Sequence, residues 1–204
     1  MKIDTHLHTR IYSACSKLPP AALINTAQQR NLDGIIITEH NQIWPEKDFS
    51  LLQEEASDLK IFRGVEVSCT DGFDYLIFGS MDFFPLKNDI TPQEIMKIAD
   101  KKDNFVAIAH PYRSPEDVIP DHVYDLHLDG VEVKSFNMKA DIQQRKAFNL
   151  AQKMNCIPIA GSDAHGTGRI GKYGIELEKK ADNNRELVNG LKGGNFKIFD
   201  YVSD

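Results

Sequence analysis

Cysteine is scarce in this chain of 204 residues: Cys15, Cys69 and Cys156 are the only three. An odd number at wide spacing, with no CxxC pair, excludes a disulfide framework. Long apolar runs are missing too. No segment approaches the ~20 continuous apolar residues that a membrane span needs, so no membrane partner is expected. A basic excess is absent, with 24 Lys and Arg against 30 Asp and Glu and a net charge of −6. That balance argues against non-specific binding to long nucleic acid, which needs a basic face. The opening MKIDTHLH lacks the charged stretch and apolar run of a signal peptide. The expectation is a reduced, cytoplasmic protein. Nothing in the sequence fixes an oligomeric state.

What is present is enough apolar material, 41% of residues, for one substantial core. No repeat, low-complexity tract or shift of composition divides the chain, so residues 1–204 are expected to form one domain. Short apolar runs recur at residues 1–3, 34–38, 61–67, 75–78, 105–109, 130–133, 157–160 and 196–199. Most do not alternate cleanly, which suits strands buried on both faces of a parallel sheet. Helical stretches lie between them. One follows Pro19-Pro20 over residues 21–30. Another opens at Thr91-Pro92-Gln93-Glu94 with a capping-box pattern, a third covers 140–153, and a fourth, 185–191, stops at Gly193-Gly194. Strands alternating with helices predict βαβ units with right-handed crossovers. About seven strands suit a small (β/α) barrel, since a full eightfold barrel takes ~250 residues; a doubly wound open sheet is the alternative.

The chemistry lies in the histidines. Of seven in the chain, His6, His8, His40, His110 and His165 fall where an apolar run ends, as does Asp163, and Glu66 lies inside a run. In a parallel barrel the carboxyl ends of the strands share one side, so these residues would converge there. His6 and His8 are two apart in an extended segment and project together, a natural two-point chelate. Taken alone, any one of the histidines would serve as a hydrogen-bonded rim residue. Glu66 is different, because buried glutamates are rare unless paired or metal-bound. Together the set is hard to explain by packing and points to metal ligation. His122 and His127 have no such setting and read as surface or helix-end residues. Cys69 and Cys156 read as small apolar residues. Cys15, in the loop after His8, is either structural or a thiolate ligand.

Assembled in order, these residues resemble the PHP family, named for polymerase and histidinol phosphatase. The motifs are DTHLHT (4–9), TEH (38–40), GVE (64–66), HP (110–111) and GSDAH (161–165), spread over roughly the whole chain. The resemblance implies a distorted seven-stranded, TIM-like (β/α) barrel with two to three divalent ions (Zn, Mn or Fe) at its mouth. It implies that His6, His8, Glu66 and Asp163 hold one ion, that Glu66 and His110 hold a second, and that His40 and His165 hold a third. Asp4 would support the histidines from behind. Many relatives carry an additional Asp or His just after the HxHT segment, where this chain has Ser13-Ala14-Cys15-Ser16. Many also carry a further His beyond the Glu66 or His110 strand, where this chain offers Asp71 and Asp74, or Lys134 and Asn137.

The implied activity is hydrolysis of a small phosphate ester, a phosphomonoester or nucleotide, by metal-activated water. His40 or His165, where not committed to metal, would protonate the leaving oxygen. Arg113, three residues after His110, is the best-placed phosphate contact; Arg10, Lys134 and Arg169 also follow strand ends. The alternatives are an amidohydrolase-like enzyme, whose bridging lysine could only be Lys134, and a non-catalytic metal-stabilised module. The loops 10–17, 42–48, 71–74 and 114–119 are short, which predicts an open mouth with no large lid.

Overall fold

The computed structural model describes residues 1–80, 89–100 and 104–201. Its strands are β1 (Lys2–Leu7), β2 (Gly34–Ile37), β3 (Lys60–Ser68), β4 (Asp74–Phe78), β5 (Phe105–Ile108), β6 (Gly130–Lys134), β7 (Ile157–Ala160), β8 (Tyr173–Leu177) and β9 (Phe196–Asp200). The helices are α1 (Pro20–Gln29), α2 (Glu46–Ala56), α3 (Pro92–Asp100), α4 (Asp121–Tyr124), α5 (Asp141–Met154) and α6 (Asn184–Lys192). All nine strands form one sheet in the order β7-β6-β5-β4-β3-β2-β1-β8-β9. The sheet is nearly closed. Thr5 Oγ1 donates to Ala160 O at 2.8 Å, and His8 N donates to Ala164 O at 3.0 Å, which ties β1 to the end of β7 and the segment after it.

Among the described residues nine strands stand where seven were expected, and not all are parallel. β1, β2 and β3 run parallel, as do β5, β6 and β7. β4 is antiparallel to both of its neighbours. Only five residues join β3 to β4, too few for the crossover a parallel pair needs. The reversal brings the amino end of β4, with Asp74, to the mouth formed by the carboxyl ends of β3 and β5. β8 pairs antiparallel with β1, and β9 with β8. The sequence GIEL within β8 is too short and too flanked by lysine and glutamate to register as a buried run. α2 also went unexpected. It buries only Leu52 and Ala56, and it begins inside the 42–48 segment expected to be loop.

The expected capping box at α3 is present. Glu94 N donates to Thr91 Oγ1 at 3.2 Å and Thr91 N to Glu94 Oε2 at 2.9 Å. Asn183 caps the start of α6, its side chain accepting from Glu186 N at 3.0 Å. Residues two or four apart on a strand share a face. Thus Phe62 lies beneath Glu66 on β3, within an apolar cluster that includes Ile36, Leu76, Phe78, Phe105, Ala107 and Ile159. This cluster plugs the barrel below the mouth. Removing the Phe62 ring would cost about 3–5 kcal/mol, so the floor under Glu66 is stiff. α1 and α2 pack outside β2 and β3 through Leu23, Ala27, Ile35, Ile37 and Leu52. The β3–β6 outer face packs against α3, α4 and α5 through Val65, Ile77, Ile95, Val123, Val131 and Leu150.

Candidate metal centre

All seven residues expected to bind metal meet at the barrel mouth. His6, His8 and Glu66 are fully buried, Asp163 and His110 nearly so. His40 and His165 are 31% and 24% exposed, so solvent reaches the cluster from their side. The imidazoles of His8 and His40 stack at 4.3 Å between centroids, and His8 and His165 lie 4.4 Å apart. Side-chain atoms of His6, Glu66 and His110 come within 4.8 Å of one another. So do those of His6, His8 and Asp163, and those of His8, His40 and His165.

The local backbone aims these groups. His110 and Asp163 both have positive φ, +27° and +49°. Such conformations cost on the order of 1–3 kcal/mol and persist only where surroundings over-determine them. At His110 the hold is visible, since its backbone N donates to Glu132 Oε2 at 2.8 Å.

Glu132 is the residue that the sequence reading passed over. It is fully buried, and its other oxygen, Oε1, lies 2.9 Å from His6 Nδ1. A carboxylate acceptor there places the hydrogen on Nδ1 and leaves Nε2 as a lone pair facing the cluster. The signal existed: Gly130-Val131-Glu132-Val133 repeats the Gly64-Val65-Glu66-Val67 pattern, a carboxylate within an apolar strand. Glu39 was also missed. It is buried and accepts from Thr9 Oγ1 and Ser13 Oγ, both at 2.5 Å, and from Trp44 Nε1 at 3.0 Å. Ser13 Oγ in turn accepts from His40 N at 3.1 Å. Glu39 thereby ties the loops after β1 and β2 together. Asn137 donates to Asp163 Oδ2.

Asp4 lies behind the cluster. It accepts from Ser162 N at 2.9 Å, His6 N at 3.3 Å and Gly171 N at 2.7 Å, so it clasps the backbone of two ligand segments. Burial pushes its carboxyl up to about 6 against the pull of these hydrogen bonds.

The donor set fits divalent cations. Glu66 Oε2 lies 3.3, 3.2 and 3.0 Å from ring nitrogens of His6, His8 and His40, yet none of these contacts has hydrogen-bond geometry. It and Asp163 Oδ1 are buried oxygens without a donor among the described residues. His6 Nε2 and His8 Nε2 face each other at 3.0 Å. Lone pairs from carboxylates and imidazoles directed at a shared space are what a cation satisfies and a proton network does not. Electrostatics agree. Burial opposes the His6 imidazolium, but Glu132, Glu66 and Asp163 outweigh it and raise His6 well above the usual histidine range. Burial also opposes the Glu66 carboxylate, but His6, His110 and His40 hold it well below the usual range. The site favours positive charge. His165 differs, since burial and neighbouring His8 lower it, favouring the neutral ring.

The remaining candidates separate cleanly. Arg113 is exposed and lines a cavity of about 260 Å³ with Asp74, His110, Pro111, Ser114 and Asp117. Lys134 is engaged 2.6 Å from Asp200, and the Arg169 guanidinium covers the Phe136 ring at 3.8 Å. Arg10 and His127 are exposed. His122 contacts Asp71 at 3.0 Å. Cys69 is buried and Cys156 half-buried, whereas Cys15 is exposed with Sγ 3.2 Å from His165 Nε2.

A nearly closed α/β barrel whose mouth gathers imidazoles and carboxylates defines a class of protein with side-chain clusters that could hold metal. The match to known proteins is more specific. The model of the PHP domain family fits residues 4–181, and the chain belongs to that family. It is 27% identical to the uncharacterized protein MJ1587 of Methanocaldococcus jannaschii over 172 residues, 77% of this chain and 98% of that one. Its fold is similar to a two-domain protein from Bacteroides vulgatus ATCC 8482 containing a predicted PHP-like metal-dependent phosphoesterase. There the TM-score is 0.78 and the identity 18%, over 98% of this chain but 65% of that one, so this chain spans about two thirds of that protein's length. It is also similar to PsfC from Pseudomonas syringae PB-5123, with a TM-score of 0.73 and 15% identity over 98% of this chain and 91% of that one. Among the described residues no helix is long and apolar enough to cross a membrane.

Proposed function

We propose that this chain, acting as one domain over residues 1–204, is a metal-dependent hydrolase of small phosphate esters, phosphomonoesters or nucleotides. The observation that carries the reading is the pair of buried, unpartnered oxygens, Glu66 Oε2 and Asp163 Oδ1, facing the imidazoles of His6, His8, His40 and His165 beside a cavity that Arg113 lines. In this assignment His6, His8, Glu66 and Asp163 hold one ion, Glu66 and His110 a second, and His40 and His165 a third, with Zn, Mn or Fe suited to the mixed donors. Bound divalent ions supply acidified water as nucleophile and neutralise the charge of the ester.

The chain's own residues do the rest. Glu132 fixes the His6 tautomer, and Asp4 and Glu39 fix the loops that carry the ligands. Arg113 is exposed on the His110 side and offers a planar fork that matches two phosphate oxygens. His40 and His165 are the imidazoles that substrate reaches. His165 favours the neutral ring, which suits a ligand, and His40, the more exposed of the two, is placed to protonate the leaving oxygen when it carries no metal. The engagement of Lys134 with Asp200 speaks against a lysine-bridged amidohydrolase centre. The acidic balance of the chain and its open, short-looped mouth support a small substrate over long nucleic acid or a membrane surface.

The test is turnover of metal-stripped protein against a panel of phosphate esters, with Mn, Zn, Fe or Mg restored singly. A His6→Ala/Asp163→Ala double variant is the control. Metal-dependent hydrolysis lost in the variant is the expected result. Tight metal binding without cleavage of any ester would remove the phosphoesterase reading.

A further inference from the structure

Cys15 stands where the outermost pair of histidines opens to solvent. Its Sγ lies 3.2 Å from His165 Nε2. The other nitrogen of that ring, Nδ1, faces the Asp163 backbone carbonyl at 3.2 Å. A carbonyl accepts only, so the hydrogen belongs on Nδ1 and the Nε2 lone pair faces the sulfur. The Nδ1 of His40 lies 3.0 Å from Glu66 Oε2. The His40 and His165 rings are 5.8 Å apart. A second, independent observation points to a cation here. Ligand atoms of His8, His40 and His165 lie within 4.8 Å of one another beside Cys15.

We propose that Cys15 is a thiolate ligand of the outermost metal ion, with His40 and His165 as its imidazole ligands. The inference rests on the metal-hydrolase reading above and deepens it. Two imidazoles and one thiolate leave a coordination position open, the arrangement of a catalytic site rather than a closed structural one. The thiol proton passes to solvent as the ion binds, so no oxidant or further reactant is required. A thiolate in this position changes metal choice. Soft sulfur selects Zn, Fe or Co, while Mn and Mg prefer oxygen. The outer site would therefore discriminate between ions where the inner, carboxylate-rich sites do not. It would also make the protein sensitive to oxidation at one exposed residue, since Cys69 and Cys156 are buried or half-buried.

The experiment is titration of the metal-stripped protein with Co(II), followed by absorption. A near-ultraviolet sulfur-to-cobalt charge-transfer band is expected in addition to the visible bands of nitrogen- and oxygen-bound cobalt. In Cys15→Ser the charge-transfer band should be lost, the visible bands of the inner ions should remain, and one equivalent of tightly held zinc should be missing. Cobalt binding without the sulfur band, or a band that persists in Cys15→Ser, overturns the proposal and leaves the metal centre standing. No cobalt binding at all overturns the metal centre itself. Alkylation of the unaltered protein gives a check free of mutation. Zinc should protect Cys15 from an exposed-thiol reagent, and equal labelling with and without zinc would count against ligation.

Discussion

His6, Glu66 and His110 are buried at or just past the ends of β1, β3 and β5, whereas His40, His165 and Cys15 stand on loops and meet solvent. The buried side is fixed twice over. Strands β1 and β3 fix the backbones of His6 and Glu66, and one carboxylate, Glu132, grips the ring of His6 and the main chain of His110 together. The open side is held through Glu39 and Ser13, which order the loops but touch the His40 ring at no point described. The contrast teaches a division of labour. Rigid, buried ligands give affinity and preorganised geometry. On the proposed reading, the exposed loop residues would set which ion and which substrate are accepted.

Removing the centre of the buried side should do the most damage. Glu66→Gln keeps the shape but takes away the charge shared by the surrounding imidazoles. Loss of several kcal/mol of metal-dependent stabilisation corresponds to a fall in kcat/KM on the order of a thousandfold. Metal content by mass spectrometry should fall with it. Chelation should lower the melting temperature of the unaltered protein and leave that of the variant nearly unchanged. At a metal concentration a hundred times Kd the lost stabilisation is about 2.7 kcal/mol, or about 5–10 °C for a domain of this size. Wild-type turnover in Glu66→Gln would end the comparison, because the buried side would then not be the catalytic one.

Glu132→Gln sharpens the same contrast with a smaller effect. A glutamine has one oxygen for two donors. If it accepts from His110 N, its amide hydrogens face His6 Nδ1 and turn the tautomer around, so that a hydrogen rather than a lone pair meets the metal. A loss of 10–100-fold in metal affinity is the magnitude for such supporting carboxylates. Isothermal titration with zinc measures it. An unchanged affinity would mean that His6 is oriented by its strand alone.

This hierarchy was only partly legible in the sequence. The candidate ligands stood out because imidazoles at the ends of the apolar runs 35–37 and 106–109 serve no packing purpose, and Glu66 because its strand is otherwise apolar. Glu132 carries the same mark and was passed over, since attention to ligand motifs discounts a carboxylate that supports a ligand. The reversal of β4 was legible in principle, because Asp71-Gly72 between two apolar runs is a hairpin signal. What no local pattern could reveal is how residues distant in the chain meet. Glu39 reaching Trp44 and Ser13, Asn137 reaching Asp163 and Cys15 reaching His165 depend on loop paths that no periodicity encodes.

Arg113 gives the mildest prediction and tests the open side alone. Its side chain is exposed beside His110 and contributes nothing to the buried network, so Arg113→Ala should leave metal content and melting temperature unchanged. A charge-assisted hydrogen bond is worth about 1.5–3 kcal/mol, and an exposed one sits at the lower end. KM for a phosphate ester should therefore rise about tenfold, with kcat nearly constant, because a contact made equally in ground and transition states changes binding only. Arg113→Lys keeps the charge but not the two-pronged geometry and should recover part of the loss. If kcat falls instead while KM holds, the guanidinium acts in the transition state, and the open side shares in catalysis rather than only in recognition.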